Sequence, residues 1–121
     1  MRVLTIIRKN KVEMFSRNGK QFHNFGHIII EIENALKEDP APYDLVLDGE
    51  VMSANFQDLM KQVHRKDGKQ TKDAVLHLFD LCPLENFKKG RWNTSQTKRS
   101  LLVKEWVAKH SKLLKHIQTL E

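Results

Sequence analysis

Cysteine is nearly absent from this chain: among 121 residues only Cys82 carries a thiol, so no disulfide can close within it. That fits a reducing cytosol, and Cys82 itself reads as a small buried hydrophobe. Long apolar runs are missing too. No stretch approaches the roughly 20 residues that a bilayer-spanning helix requires, so no membrane partner is expected. The opening residues, Met1 to Arg8, hold an apolar run too short for a secretory signal and no small-residue cleavage site. They read as a strand, and the expected location is the cytoplasm. There is no glycine-rich P-loop, no GxSxG elbow and no CxxC pair, which excludes three common routes to phosphate, serine and thiol chemistry. Internal repeats and low-complexity segments are also lacking.

What remains is 40% hydrophobic and 30% charged, the balance of one soluble globular domain. At this length folding buries about two-thirds of the surface of the extended chain, enough for a sizeable core. The net charge of +6 is unevenly spread. Residues 1–60 hold 7 Lys and Arg against 9 Asp and Glu, a net of −2, whereas residues 61–121 hold 14 against 6, a net of +8. Two readings follow: a polyanionic partner such as nucleic acid, or lysine-rich solvated faces. The basic residues form two groups, Lys61, Arg65, Lys66, Lys69 and Lys72, then Lys88, Lys89, Arg91, Lys98 and Arg99.

Periodicity predicts strands at Val3 to Ile7 and Val12 to Ser16, separated by the polar turn Arg8 to Lys11. Arg17-Asn18-Gly19-Lys20 supplies a second turn. Phe22, Phe25, Ile29, Ile32 and Leu36 recur at helical spacing, with Asn24 as cap and Asp39-Pro40 as terminator, a helix of about 14 residues. Asp44 to Ser53 reads as a strand, Phe56 to Val63 as a shorter helix, and Lys66 to Lys69 as a turn. Ala74 to Leu81 reads as a mostly buried strand stopped by Pro83. After a polar loop, Leu102, Trp106, Leu113, Ile117 and Leu120 form one stripe of a long helix from Gln96. The fold expected is α+β, with a mainly antiparallel sheet packed with helices.

Within that frame, Leu45-Val46-Leu47-Asp48-Gly49-Glu50-Val51 delivers two carboxylates at the end of an apolar run. Burying an ionised carboxylate costs several kcal/mol unless donors meet it, so this edge is either exposed or used, and a sugar hydroxyl is a suitable partner. Glu50 can accept hydrogen bonds from a ribose while Asp48 braces the turn. Arg17 is an ordinary turn arginine or an anion ligand. Phe79 is a core residue or a face on which a base can stack. His23 and His27 lie four apart, a spacing that can bind metal on a helix, but no third ligand accompanies them and no metal site is expected. Trp92 and Trp106 read as packing residues.

In order along the chain, Ser16-Arg17-Asn18-Gly19-Lys20, Leu47-Asp48-Gly49-Glu50-Val51 and Leu78-Phe79-Asp80-Leu81 resemble motifs Ia, III and IIIa of ATP-dependent DNA ligases, particularly the small phage-type enzymes. The likeness covers roughly Met1 to Leu101. It implies the central part of an adenylation domain, a partial nucleotidyltransferase (ATP-grasp-like) fold over residues 1–121 with no OB-fold. It also implies nucleotide contacts at Arg2, Arg17, Glu50 and Phe79. Arg17 would meet the adenylate ribose or a nick phosphate, Glu50 the ribose hydroxyl, and Phe79 the adenine. Arg2 matches the last position of the family's KxDGxR motif, whose nucleophilic lysine would lie four positions before Met1. DNA contacts are expected at Arg17, Lys20, Arg65 and Lys66.

No KxDG string occurs in the chain. The nearest, Arg65-Lys66-Asp67-Gly68, offers an arginine, which stays protonated and cannot act as nucleophile. Past Leu81 nothing resembles the family's motif IV (a Glu-Gly pair) or motif V (Lys-x-Lys). No catalytic residue is therefore assigned. The resemblance implies ATP and Mg²⁺ for the complete enzyme, millimolar or weaker ATP binding by this chain, and no self-adenylation. The expected partners are nicked duplex DNA, a polypeptide supplying the missing motifs, and further copies of the chain through apolar surface left by the last helix. The setting would be a bacterial or phage-infected cell. Two alternatives stand beside it: a non-catalytic basic DNA-binding module, and a fragment of an RNA ligase or capping-type nucleotidyltransferase.

Overall fold

The computed structural model describes residues 1–53, 73–90 and 95–119. The chain opens on a hairpin. Strand β1 (Arg2–Arg8) turns into β2 (Lys11–Phe15) through Lys9 and Asn10, both at positive φ, 50° and 64°. Such a two-residue turn matches the right-handed twist of its strands, although a lysine reaches this conformation at some cost. The tip is pinned from outside: the Lys9 amide donates to Asp44 Oδ1 at 2.9 Å, and Asn10 Oδ1 accepts from the Ala41 amide at 2.9 Å. A second turn, closed by the Ser16 amide donating to the Lys20 carbonyl at 2.7 Å, leads into the short β3 (Gln21–Phe22).

Helix α1 (Gly26–Glu38) follows, then β4 (Leu45–Met52), β5 (Val75–Pro83), α2 (Leu84–Lys89), α3 (Gln96–Lys109) and β6 (Ile117–Thr119). The six strands form one sheet in the order β3-β2-β1-β4-β5-β6. Every neighbouring pair is antiparallel except β5 and β6. The mixed α+β class expected from the sequence is the one found.

Alternation decides which side of the sheet is wet. Val3 and Ile7 of β1, Met14 of β2, Leu47 and Val51 of β4, and Leu76 and Leu78 of β5 point to one face and are buried. Ile28, Ile32, Ala35 and Leu36 of α1 cover that face, joined by Val103 of α3 and by Leu114 and Ile117. Arg2, Leu4, Asp48 and Glu50 lie on the opposite face, which is at least partly open to solvent.

Four expectations are corrected. Helix α1 buries Ile28 rather than Ile29, which is half-buried, and Phe22 and Phe25 precede it as an edge-to-face pair with centroids 5.8 Å apart. Phe25, not Asn24, occupies the cap position. The polar loop after Pro83 contains α2, closed by Gly90 at φ 70°, the left-handed residue that ends many helices. The last helix stops at Lys109: the His110 ring engages Asp39 at 3.2 Å, and Ile117–Thr119 leaves helical geometry to pair with β5. An open edge of β5 offers unpaired backbone groups that a helix continuation would leave unsatisfied. The apolar stripe is accordingly not left bare, because Val103, Leu114 and Ile117 are buried in the common core and Leu102, Trp106, Val107 and Leu113 pack against it. Leu120, the last residue of the expected stripe, lies outside the described residues. The helix expected at Phe56 to Val63 and the turn at Lys66 to Lys69 lie outside the described residues.

Candidate functional site

The register between β4 and β5 slips at Asp48/Gly49, giving a β-bulge. Below it Asp48 pairs with Asp80, and above it Gly49 pairs with Leu78, so Phe79 is the extra residue. A bulge allows two successive side chains to share one face. Leu78 and Leu81 are buried while Phe79 and Asp80, between them, are half-exposed. Gly49 is the counterpart on β4: a Cβ there would stand 2.6 Å from the His77 carbonyl oxygen and 3.1 Å from Leu78 Cδ2. Only glycine allows the two backbones to come this close.

Onto this bulge β1 delivers Arg2. Its Nε donates to Asp48 Oδ1 at 3.1 Å and its Nη2 to Asp48 Oδ2 at 2.6 Å, a two-pronged contact that suits the guanidinium fork. Hydrogen bonding to Asp48 raises the Arg2 pKa above its ordinary value. The same guanidinium carbon lies 5.1 Å from the centroid of the Phe79 ring, within cation–π range. Glu50 of β4 is the Cα partner of Arg2 on β1 and of His77 on β5. Its carboxylate is 43% exposed and 3.5 Å from the Met1 amino nitrogen. Asp80 is met from the other side by Arg99, in the first turn of α3, with Nε 3.2 Å from Oδ1 and both side chains 22% exposed.

A cavity of about 240 Å³ adjoins this row, lined among others by Asp48, Asp80, Cys82, Phe87 and Arg99. Burial, helped by Asp80, pushes the Cys82 thiol above its ordinary pKa, away from the thiolate. A larger cavity, about 600 Å³, opens at the far end of β4 and β5 around Asp44, Pro83 and Asn86 and holds none of the candidate residues.

Of the residues expected from sequence, Arg2, Glu50 and Phe79 share this outer face. Arg17 is exposed in the turn that follows β2, two residues past Phe15, whose pairing partner is Leu4. It therefore stands at the same end of the sheet as Arg2. Lys20 closes that turn, its amide donating to Ser16 Oγ at 3.0 Å. Arg65, Lys66, Trp92 and the first basic group lie outside the described residues. In the second group Arg99 is not a free solvated cation but is committed to Asp80, and Lys89 pairs with Glu85 at 3.2 Å. His23 precedes α1 and so shares no helix face with His27, whose Nε2 lies 2.9 Å from the Ala74 carbonyl oxygen. Among the described residues no three His, Cys, Asp or Glu converge on a possible metal ion, and none of their helices is long and apolar enough to cross a membrane.

Sequence reading missed the roles of Asp80 and Arg99. A signal for the first was present: Leu76, Leu78 and Leu81 are spaced two and then three apart, which a regular strand does not do.

A glycine-tight bulge, a half-exposed aromatic and a carboxylate–arginine row thus share the outer face of the sheet in a mixed α+β domain. A family model described as the ATP dependent DNA ligase domain matches residues 1–120, and the chain belongs to that family. Two solved structures, Pmar-Lig_PreS3 and Pmar-Lig_Pre, are each 93% identical to it with a TM-score of 0.95, over 99% of this chain and 28% of theirs. The chain thus spans little more than a quarter of those relatives. The ATP-dependent DNA ligase of bacteriophage T7, in complex with ATP, matches 99% of this chain and 45% of its own length with a TM-score of 0.65. At 16% identity that likeness is one of fold. Comparison with curated proteins gives no match.

Proposed function

We propose that the chain is the central part of a ligase adenylation domain, a single partial domain, and that the outer face at the Phe79 bulge receives the adenosine of ATP. In this reading Phe79 stacks on adenine, Glu50 accepts hydrogen bonds from the ribose, and Arg2 and Arg17 meet the ribose or a nick phosphate. Arg17, Lys20, Arg65 and Lys66 contact DNA. The observation that carries it is the placement of Phe79, Arg2 and Glu50 on one face by a bulge that Gly49 alone permits. The T7 ligase of similar fold holds ATP, which supports an adenosine site on this architecture.

The complete enzyme would act in three steps. The amine of a lysine would attack the α-phosphate of ATP and expel pyrophosphate to give lysyl-AMP, the 5′-phosphate of nicked duplex DNA would then take AMP and free the lysine, and the 3′-hydroxyl would displace AMP to seal the nick. Mg²⁺ would assist by neutralising phosphate charge, but the described residues do not form a site for it and no step here rests on it.

The chain alone retains only the adenosine contacts. Stacking contributes about 1–3 kcal/mol and a charge-assisted hydrogen bond about 1.5–3 kcal/mol. A base taking the face of Phe79 that Arg2 covers must first displace a cation–π contact of about 0.5–1 kcal/mol. A millimolar complex needs about 4.1 kcal/mol net, and once the freedom lost on association, about 4 kcal/mol or more, is subtracted from these gains, the chain by itself binds ATP at millimolar strength or weaker.

The test is to place this segment in the 93% identical relative and measure enzyme adenylation against ATP concentration. F79A and E50Q should each raise the KM for ATP while sealing of nicked DNA already carrying AMP changes less. An unaltered KM in both variants overturns the reading.

A further inference from the structure

Asp48 and Asp80 are Cα partners across β4 and β5, and like charges placed directly opposite each other in a sheet repel. The repulsion falls at the register slip that sets Phe79 on the outer face. Each carboxylate has its own arginine, drawn from a different element: Arg2 of β1 serves Asp48, and Arg99 of α3 serves Asp80. The four charges alternate as pairs, Arg2 with Asp48 and Asp80 with Arg99, around the bulge.

We infer that Arg99 is a positioning residue for the adenine platform: by neutralising Asp80 from α3, it fixes the bulged backbone and thereby the ring of Phe79. The inference rests on the reading of Phe79 as the stacking residue. Three features lead to it. Asp80 is the residue directly after Phe79, so its backbone sets the direction in which that ring leaves the strand. The Asp80 carboxylate is also tied locally, its Oδ1 accepting from the Leu81 amide at 2.8 Å, so a pull on the carboxylate is transmitted to the backbone at the bulge. Finally, Arg99 belongs to a well-anchored helix: Ser95 caps α3 by accepting from the Lys98 amide at 3.2 Å, and Val103, one turn beyond Arg99, is buried in the core. Arg99 is thus a fixed charge, at 22% exposure, not a mobile surface arginine.

Without Arg99, Asp80 faces Asp48 with, among the described residues, only Arg2 to share between them. Arg2 then divides its donors or the strands part at the bulge, and either outcome moves Phe79.

The experiment is a double-mutant cycle in the complete ligase carrying this segment, with the KM for ATP in enzyme adenylation as the readout. R99M should raise the KM about fivefold or more, R99K should recover part of that loss, and D80N, which removes the charge repulsion along with the ion pair, should fall between them. In the F79A background R99M should add little, since the group it positions is gone. A full R99M effect on top of F79A, or no effect of R99M in the parent, overturns the inference. An unchanged KM in F79A itself points instead to failure of the stacking reading. Should R99M fail to fold, D80N, of the same shape as the parent residue, takes its place in the cycle, and additivity with F79A refutes the inference equally.

Discussion

Asp48 on β4 faces Asp80 on β5 at the point where their ladder slips, and that one juxtaposition organises the open face of the sheet. The slip sets Phe79 outward, draws Arg2 across from β1, and demands the glycine at position 49.

The Arg2–Asp48 pair is a surface contact, with side chains 43% and 19% exposed. Solvent-exposed pairs contribute at most about 1 kcal/mol to stability. D48N should therefore leave the thermal midpoint almost unmoved. If Arg2 meets the nucleotide as proposed, the KM for ATP should rise severalfold in the complete ligase, because Asp48 holds its guanidinium in place. A large drop in melting temperature with unchanged KM would assign the pair to stability instead.

Gly49 is set by space. A methyl group would meet a backbone carbonyl oxygen at 2.6 Å, and backbone cannot swing aside as a flexible side chain does. G49A should destabilise the chain by about 1–3 kcal/mol and shift the urea midpoint without changing the slope. A neutral substitution would show that β4 and β5 do not approach this closely.

Asp39 joins the ends of α1 and α3. Lys109 and then His110 hydrogen-bond to its carboxylate, at 2.9 and 3.2 Å, and hold its pKa below the ordinary 3.8. A carboxylate with a depressed folded pKa gives stability that is complete above its ordinary value and is lost as pH falls through the lowered one. D39N should flatten the decline of melting temperature with acid in that window and lower the midpoint at neutral pH. Identical pH profiles for parent and variant would exclude the contribution.

Incubation of the 121-residue chain with α-labelled ATP and Mg²⁺ should leave it unlabelled. The chain holds no KxDG lysine, and Arg65 in the nearest such string cannot give up its proton to attack phosphorus. Covalent label retained after denaturation would locate a nucleophile that this reading lacks.

How far the sequence could be read varied with how local the determinant was. The hairpin turns were legible because Asn10 and Gly19 advertise positive φ within a few residues of chain. Strand β4 was legible from its apolar run, and Glu50 from its contrast with that run. Strand β6 was not: Ile117 and Leu120 continue a helical stripe, and only the open edge of β5, together with the Glu31 carboxylate that receives the His116 amide at 2.8 Å, turns the segment into a strand. The residue buried in α1, Ile28 rather than Ile29, likewise depended on how the helix rotates against the sheet.

The family likeness was carried by three short strings, and their order along the chain was enough to name the class. Local chemistry dictated that Asp-Gly-Glu ends an apolar strand, that Phe79 sits among leucines, and that Arg2 opens a strand. Whether Phe79 faces the core or the solvent was decided only by the bulge, because a period of two gives either answer until the register with β4 is known. That Arg2 and Arg99, 97 positions apart in the sequence, flank the same pair of aspartates follows from strand order and helix packing, long-range terms that no window of sequence contains.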